Sequence, residues 1–235
     1  MPKIIPDWEL LQAFTRPQLP TGASKDLPLI AGIDEVGRGT WAGPVVAAAV
    51  VLPWGRQFEG LGDSKIVPVA RRNLLDCEIK AQALAIGIGW VSAADIDAHG
   101  LSWAVRESGL RALANLGPLT TSITGIVLDG SHNYLADDPR AMVIVKGDAY
   151  VTPVAAASII AKVARDKYMN QVHRQFPDYG FYRHVGYGTA QHRQAIAAHG
   201  VSPEHRLSIK PLRTYQVASS ARILHSPVST KGVYK

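Results

Sequence analysis

The chain is 235 residues long, 47% hydrophobic and 19% charged, with a net charge of +6. That composition can bury a substantial core and excludes a disordered chain, and the most apolar stretch, Val45 to Leu52, is far too short to cross a bilayer. Met1-Pro2-Lys3-Ile4-Ile5-Pro6-Asp7 is no signal peptide, and a single cysteine, Cys77, excludes an internal disulfide; the expectation is a cytoplasmic globular protein whose basic balance favours a polyanionic partner.

Residues 1–28, with Pro6, Pro17, Pro20 and Pro28, read as an N-terminal extension holding a short helix around Asp7 to Phe14. Leu29 to Ile33 and Val45 to Leu52 read as a strand pair. Pro68 to Ala83 follows as a helix with proline in its first turn, and Cys77 is expected to pack on its apolar side. Leu84 to Val91 is a strand, and Ala93 to Ala98 and Ser102 to Leu116 are helices, the second opening on a Ser102 cap. Gly125 to Leu128 and Met142 to Val145 are short buried strands, each running into an aspartate, Asp129 and Asp148. Pro153 to Gln175 is a long alanine-rich helix, and Ala190 to Ala198 a shorter one stopped by Gly200. The alternation predicts the α/β class: a mixed central sheet flanked by helices, with a helical C-terminal part, in one unit over residues 29–213. Residues 214–235 read as a loosely packed tail.

Chemistry concentrates where the first strand ends in two adjacent acids, Asp34 and Glu35, and breaks into Gly37-Arg38-Gly39. Neighbouring carboxylates repel and add nothing to a core, so a cation, a divalent metal foremost, is expected to compensate them. Glycines let main-chain N–H groups approach a ligand, and Arg38 between them suits phosphate. A dinucleotide site is the other reading of the loop, but Gly37, Gly39 and Gly43 miss G-x-G-x-x-G by one residue and a strand follows, not a helix.

If the strands ending in Asp34, Asp129 and Asp148 share one edge of the sheet, their carboxylates meet, and with Glu35 they make four oxygen-donor acids suited to Mg²⁺ or Mn²⁺. Such a set can hold two ions about 4 Å apart for an in-line phosphoryl displacement. The ordinary alternative is that each aspartate is only a turn or cap residue. On the long helix Ser158, Lys162 and Arg165 fall on one stripe at i, i+4 and i+7 and could hold substrate phosphates, with Asp63-Ser64-Lys65, Arg71 and Arg72 extending the path. A solvated face with Lys162 paired to Asp166 is equally open. His184, His192, His199 and His205 fit no zinc spacing and are expected at the surface or in hydrogen bonds.

Longer stretches are more specific than any single position: Gly32-Ile33-Asp34-Glu35-Val36-Gly37-Arg38-Gly39, Ala42-Gly43-Pro44-Val45-Val46-Ala47-Ala48-Ala49, Asp63-Ser64-Lys65, Lys146-Gly147-Asp148, the run from Ala155 to Asp166, and His184-Val185-Gly186-Tyr187-Gly188-Thr189. Together, and in order, they resemble the ribonuclease HII family, the type 2 ribonucleases H. The resemblance implies the ribonuclease H-like fold and an endonuclease, dependent on Mn²⁺ or Mg²⁺, that hydrolyses the RNA strand of RNA–DNA hybrids and cuts 5′ to single ribonucleotides in duplex DNA. Water would be the nucleophile, and 5′-phosphate and 3′-hydroxyl ends the products, in ribonucleotide and RNA-primer removal during DNA replication and repair. It assigns the catalytic and metal-binding carboxylates to Asp34, Glu35, Asp129 and Asp148. It makes Gly37, Arg38 and Gly39 the loop that recognises the 2′-hydroxyl, and Tyr187 the aromatic that stacks on the sugar after the ribonucleotide, where a buried tyrosine would otherwise be expected.

Trp41, Ile66-Val67-Pro68 and Ile209 depart from the family pattern without removing a metal ligand. The tail shows no sliding-clamp motif, and a monomer is expected. The rivals are a DNA nuclease or integrase-like enzyme on the same fold, and a hybrid-binding module whose acids are structural.

Overall fold

A computed structural model describes residues 28–215; the expected N-terminal helix and the tail beyond residue 215 lie outside the described residues. Five strands, β1 (Leu29–Val36), β2 (Val45–Val51), β3 (Ala85–Val91), β4 (Ile123–Asp129) and β5 (Ala141–Ile144), form one mixed sheet in the order β3-β2-β1-β4-β5. β1 to β3 form an antiparallel meander, whereas β4 and β5 run parallel to β1. The carboxyl ends of β1, β4 and β5 therefore share one edge. All seven residues of β2 are buried, as expected of a strand covered on both faces.

The helices are α1 (Val69–Gln82), α2 (Ala93–His99), α3 (Leu101–Ala114), α4 (Gly147–Tyr150), α5 (Thr152–Gln175), α6 (Phe181–His184) and α7 (Ala190–His199). Side chains alternate between sheet faces with period two, and the packing follows that rule. Ala48 and Val50 meet Ile159, Ile160 and Val163 of α5 and Leu75 and Ile79 of α1 on one face. Ala31, Ile33, Ala47 and Ala49 meet Ala112 and Leu113 of α3 on the other. A third cluster, where Tyr168, Met169 and Val172 of α5 meet Phe181, Ala195, Ile196 and Leu212, anchors the helical C-terminal part.

Four details differ from expectation. The Ser92 hydroxyl caps α2 by accepting from the Asp95 N–H; α3 starts directly after Gly100, so Ser102 lies inside the helix and caps nothing. Cys77 is exposed, because Arg72, Leu75, Asp76 and Ile79 form the inward stripe of α1. β5 is half-buried at the sheet edge. Thr214 and Tyr215 still belong to a 3-10 helix, Lys210–Tyr215, and Tyr215 packs on the third cluster.

Gly32 sets how closely α5 crosses the sheet, since a Cβ there would collide with the main chain of Pro153 and Val154. Gly32→Val is expected to destabilise the protein by at least about 2 kcal/mol, read as a lowered urea midpoint, because backbone has no rotamer with which to yield.

Candidate active site

Asp34, on the α5 face of β1 with Gly32, and Asp129, the last residue of β4, come from adjacent parallel strands. Asp148 arrives differently. After β5 the chain reverses through Lys146, a non-glycine residue in the left-handed region at φ 59 and ψ 37, and Asp148 sits in the first turn of α4 rather than at a strand end. Carboxylate oxygens of Asp34, Asp129 and Asp148 all lie within 4.8 Å of one another. Glu35 stands outside that trio because alternation sends adjacent strand residues to opposite faces. It pairs with Arg38 at 3.0 Å.

The group is short of compensating charge. Burial, then Glu35 and Asp129, push the Asp34 carboxyl well above its ordinary value, against a hydrogen bond from Ser158. Burial raises Glu35, with Arg38 opposing, and burial followed by Asp129 raises Asp148, with Lys65 opposing. Glu35 Oε2 and Asp129 Oδ1 are buried without a hydrogen-bond partner. Crowded, partly orphaned carboxylate oxygens are the donor set that a hard divalent cation fits. The hydroxyl of Tyr134, which the sequence reading missed, is also buried without a partner, and burial, then the charges of Glu35, Asp34 and Asp129, push its pKa well up.

Around the acids the expected cations divide into two kinds. Lys65 is exposed; burial works against its charge, but Asp63, Asp34, Asp148 and Asp129 outweigh it and raise its pKa. The Ser158 and Ser64 hydroxyls are hydrogen-bonded at 2.7 Å, tying the loop that carries Lys65 to α5. Lys162 is held by Asp166 at 2.7 Å, and Arg72 takes the other oxygen of Asp166 at 3.1 Å. Arg71 is engaged with Glu78 and the Glu59 carbonyl. The phosphate-holding stripe is corrected most at Arg165, which is wholly buried. Its guanidinium donates to the carbonyls of Pro44 (2.9 Å), Val185 (2.9 Å) and Ala42 (3.0 Å) and to the Thr40 hydroxyl (2.9 Å). It holds the glycine loop from beneath, because α5 is buried nearly all round and has no solvated face there.

A second buried arginine that sequence reasoning missed, Arg206, donates to the carbonyls of Gly43 (2.8 Å) and Arg38 (3.2 Å). The Thr40 hydroxyl donates to the Gly37 carbonyl at 3.0 Å. Carbonyls of the loop are thus drawn inward while Arg38 and Gly39 stay exposed. Gly37 adopts φ +96°, and a Cβ there would press on Arg165 and the Pro44 carbonyl. Tyr187 is 43% exposed and is not the buried tyrosine its flanking glycines suggested. His184, His192 and His205 are buried and hydrogen-bonded; His199 alone of the four is exposed. A cleft of about 450 Å³ lined by Arg38, Trp103, Arg106, His132 and Tyr134 opens beside Asp129.

A mixed sheet whose parallel strand ends gather carboxylates beside a basic glycine loop fits a metal-dependent enzyme acting on a phosphate ester. The family model for ribonuclease HII matches residues 31–212. A ribonuclease HII of Geobacillus kaustophilus is 43% identical over 219 residues, covering 90% of this chain and 78% of that one. The ribonuclease H2 of Pyrococcus horikoshii superposes with a TM-score of 0.67 at 22% identity, covering 83% of this chain and 100% of that one. The Archaeoglobus fulgidus ribonuclease HII, solved in complex with PCNA, gives 0.64 at 26% identity, covering 77% and 95%. The chain belongs to the ribonuclease HII family: it is a ribonuclease H endonuclease acting on RNA–DNA hybrids, in a metal-dependent family. Among the described residues no helix is long and apolar enough to cross a membrane.

Burial, with mutual repulsion added, makes a testable cost. A carboxyl whose pKa is raised by folding contributes stability that is complete below its ordinary value of 3.8 and is lost as the pH rises through the folded value. In EDTA, Asp34→Asn is therefore expected to melt higher than the wild type at pH 7.5, the gain vanishing towards pH 3.8. Added Mg²⁺ should raise the wild-type midpoint far more than that of the variant.

Proposed function

We propose that Asp34, Glu35, Asp129 and Asp148 hold two divalent cations, Mg²⁺ or Mn²⁺, and that the protein cuts the phosphodiester 5′ to a ribonucleotide, in long hybrids and at single ribonucleotides in duplex DNA. The observation that carries the reading is the 4.8 Å convergence of three carboxylates whose neighbourhood holds orphaned buried oxygens. Bound there, the cations supply an activated water and stabilise the leaving 3′-oxygen, giving 5′-phosphate and 3′-hydroxyl ends.

The chain's own residues position the substrate. Lys65 and Arg38 are exposed cations beside the acids and meet the phosphates; Arg38 gives up little in leaving Glu35, since so exposed an arginine gains little from its ion pair. With the Gly37 and Arg38 carbonyls drawn inward, the N–H groups of Arg38 and Gly39 on the same peptide units point the opposite way, and the Gly37-Arg38-Gly39 loop meets the 2′-hydroxyl that distinguishes RNA from DNA. Tyr187 presents an exposed ring to the sugar that follows, where a second 2′-hydroxyl spoils the stacking. Ser158 and Lys162, one bound to Ser64 and the other to Asp166, support the phosphate path from α5. The activity fits ribonucleotide and RNA-primer removal during DNA replication and repair.

The test is a labelled DNA duplex carrying one ribonucleotide, with Mg²⁺ or Mn²⁺, beside all-DNA and EDTA controls. Cutting only at the 5′ side of the ribonucleotide, and only with metal, is expected; equal cutting of the all-DNA duplex would sink the 2′-hydroxyl reading. Asp34→Asn should lose at least about 100-fold in turnover, the equivalent of the several kcal/mol a metal site supplies, while binding the hybrid as tightly as the wild type.

A further inference from the structure

Outside the carboxylate site lies a group of titratable side chains that the mechanism does not use. His184 closes α6, His192 lies in α7 and His205 precedes Arg206, and all three are buried. The rings of His184 and His192 stack at 4.4 Å and 18°, and His205 follows at 5.1 Å from His192. The Ser202 N–H donates to His205 Nδ1 at 2.8 Å, so the ring proton of His205 is on Nε2. That nitrogen faces His192 Nε2 at 3.0 Å, which must accept and leaves the His192 proton on Nδ1. His192 Nδ1 in turn faces the Tyr187 carbonyl at 2.9 Å. Beside this chain His184 accepts from the Gly186 N–H at 3.3 Å and donates from Nε2 to the Tyr179 carbonyl at 2.9 Å. One neutral tautomer per ring satisfies these contacts, as the hydrogen-bond pattern assigns it; the Ser202 carbonyl, at a longer 3.3 Å from His205 Nδ1, receives no proton from it. Burial holds His192 down to about 4 and His205 to about 3, which keeps the rings neutral near pH 7.

The relay ends on the residue that most needs support. Tyr187 projects into solvent between two glycines, Gly186 at φ +91° and Gly188, whose missing Cβ makes room for the Trp41 ring. A half-exposed ring gets little packing of its own, so its direction depends on the backbone beneath it. The Thr189 N–H, which also reaches the Tyr187 carbonyl at 2.8 Å, only closes the local turn. His192 and His205 connect that carbonyl to Ser202, in a different part of the fold.

We propose that the chain Ser202–His205–His192 is a positioning device for Tyr187, and that it sets how strictly the enzyme requires a deoxynucleotide after the ribonucleotide it cuts. The inference rests on the reading of Tyr187 given above. His192 and His205 are positioning residues, acting through the Tyr187 main chain without touching substrate.

The experiment uses the full chain and the ratio of kcat/KM on a duplex with one ribonucleotide to kcat/KM on a continuous RNA–DNA hybrid. Tyr187→Ala should lower that ratio, and His192→Leu should lower it by about fivefold, the scale of one buried hydrogen bond. His192→Asn, whose amide N–H replaces Nδ1–H, should stay within about twofold of the wild type. The double variant Tyr187→Ala/His192→Leu should show the ratio of Tyr187→Ala alone, since His192 then has nothing left to position. If His192→Leu does not fold, His192→Gln, which keeps an amide near Nε2 but loses the donor to Tyr187, replaces it. A lowered melting midpoint with an unchanged ratio in His192→Leu, or in His192→Gln where that replaces it, overturns the inference, as does a double variant whose losses multiply. An unchanged ratio in Tyr187→Ala overturns the Tyr187 reading itself and the inference with it.

Discussion

The buried guanidinium of Arg165 is the interaction on which the rest of this structure depends. Taking a cation wholly out of water costs several kcal/mol, and none of its hydrogen-bond acceptors is charged. Burial lowers its pKa to about 10, which still leaves it protonated at neutral pH. What offsets the cost is the planar fork of donors, which reaches Thr40, Ala42 and Pro44 in the loop after β1 and Val185 in the turn before Tyr187 at once. An ammonium in the same place has no such fork. Two surface elements far apart in sequence are thereby fixed to α5, the helix that also abuts Gly32 and bears Ser158 beside Asp34. Arg206 repeats the device on the Gly43 and Arg38 carbonyls, its pKa lowered to about 9 by burial and by Arg165.

The two arginines also decide what the acids lack. Their hydrogen bonds go to carbonyls and to the Thr40 hydroxyl, so neither guanidinium pairs with Asp34, Asp129 or Asp148. Lys65 and Arg38 stand at the rim, exposed, where water screens them. The carboxylates keep an unmet demand for positive charge at their centre, which suits a divalent ion, and cations at the edge, which suit phosphate. Had Arg165 faced the acids, the site would satisfy itself internally and its affinity for an external cation would fall.

Strands and their order of appearance were legible because β2 is a continuous run of valine and alanine, and β1 and β4 are dominated by isoleucine, leucine, valine and alanine up to their terminal acids. Asp34 and Asp129 were legible as strand-end acids for the same reason. Asp148 was found for a partly wrong reason: it follows a strand in sequence, but a left-handed Lys146 and a short helix deliver it. The stripe of Ser158, Lys162 and Arg165 misled at Arg165, because helical spacing tells which residues share a face and not what each one meets; Arg165 meets the loop after β1 and the Val185 turn. Arg206 and the histidine relay left no local signal, since pairing between His184, His192 and His205 is made by tertiary packing of α6, α7 and the chain beyond. Cys77 shows the converse limit, a residue beside an apolar stripe but on the wrong side of it.

Backbone strain is placed with the same logic. Lys146 and Val185 are the non-glycine residues with positive φ among the described residues, at 59° and 41°. Each stands two positions ahead of a proposed site residue, Asp148 and Tyr187. For a β-branched residue the left-handed region is unfavourable by roughly 1–2 kcal/mol or more, so Val185 stays there only because its surroundings over-determine it. The determinants are visible: its carbonyl accepts from Arg165, its N–H donates to the Phe181 carbonyl, and the following Gly186 carbonyl takes the N–H groups of Trp41 and Ala42. Substrate binding then meets a turn whose conformational cost has been met by the fold. Arg165 thus aligns the glycine loop and, through Val185, holds the strain that aims Tyr187.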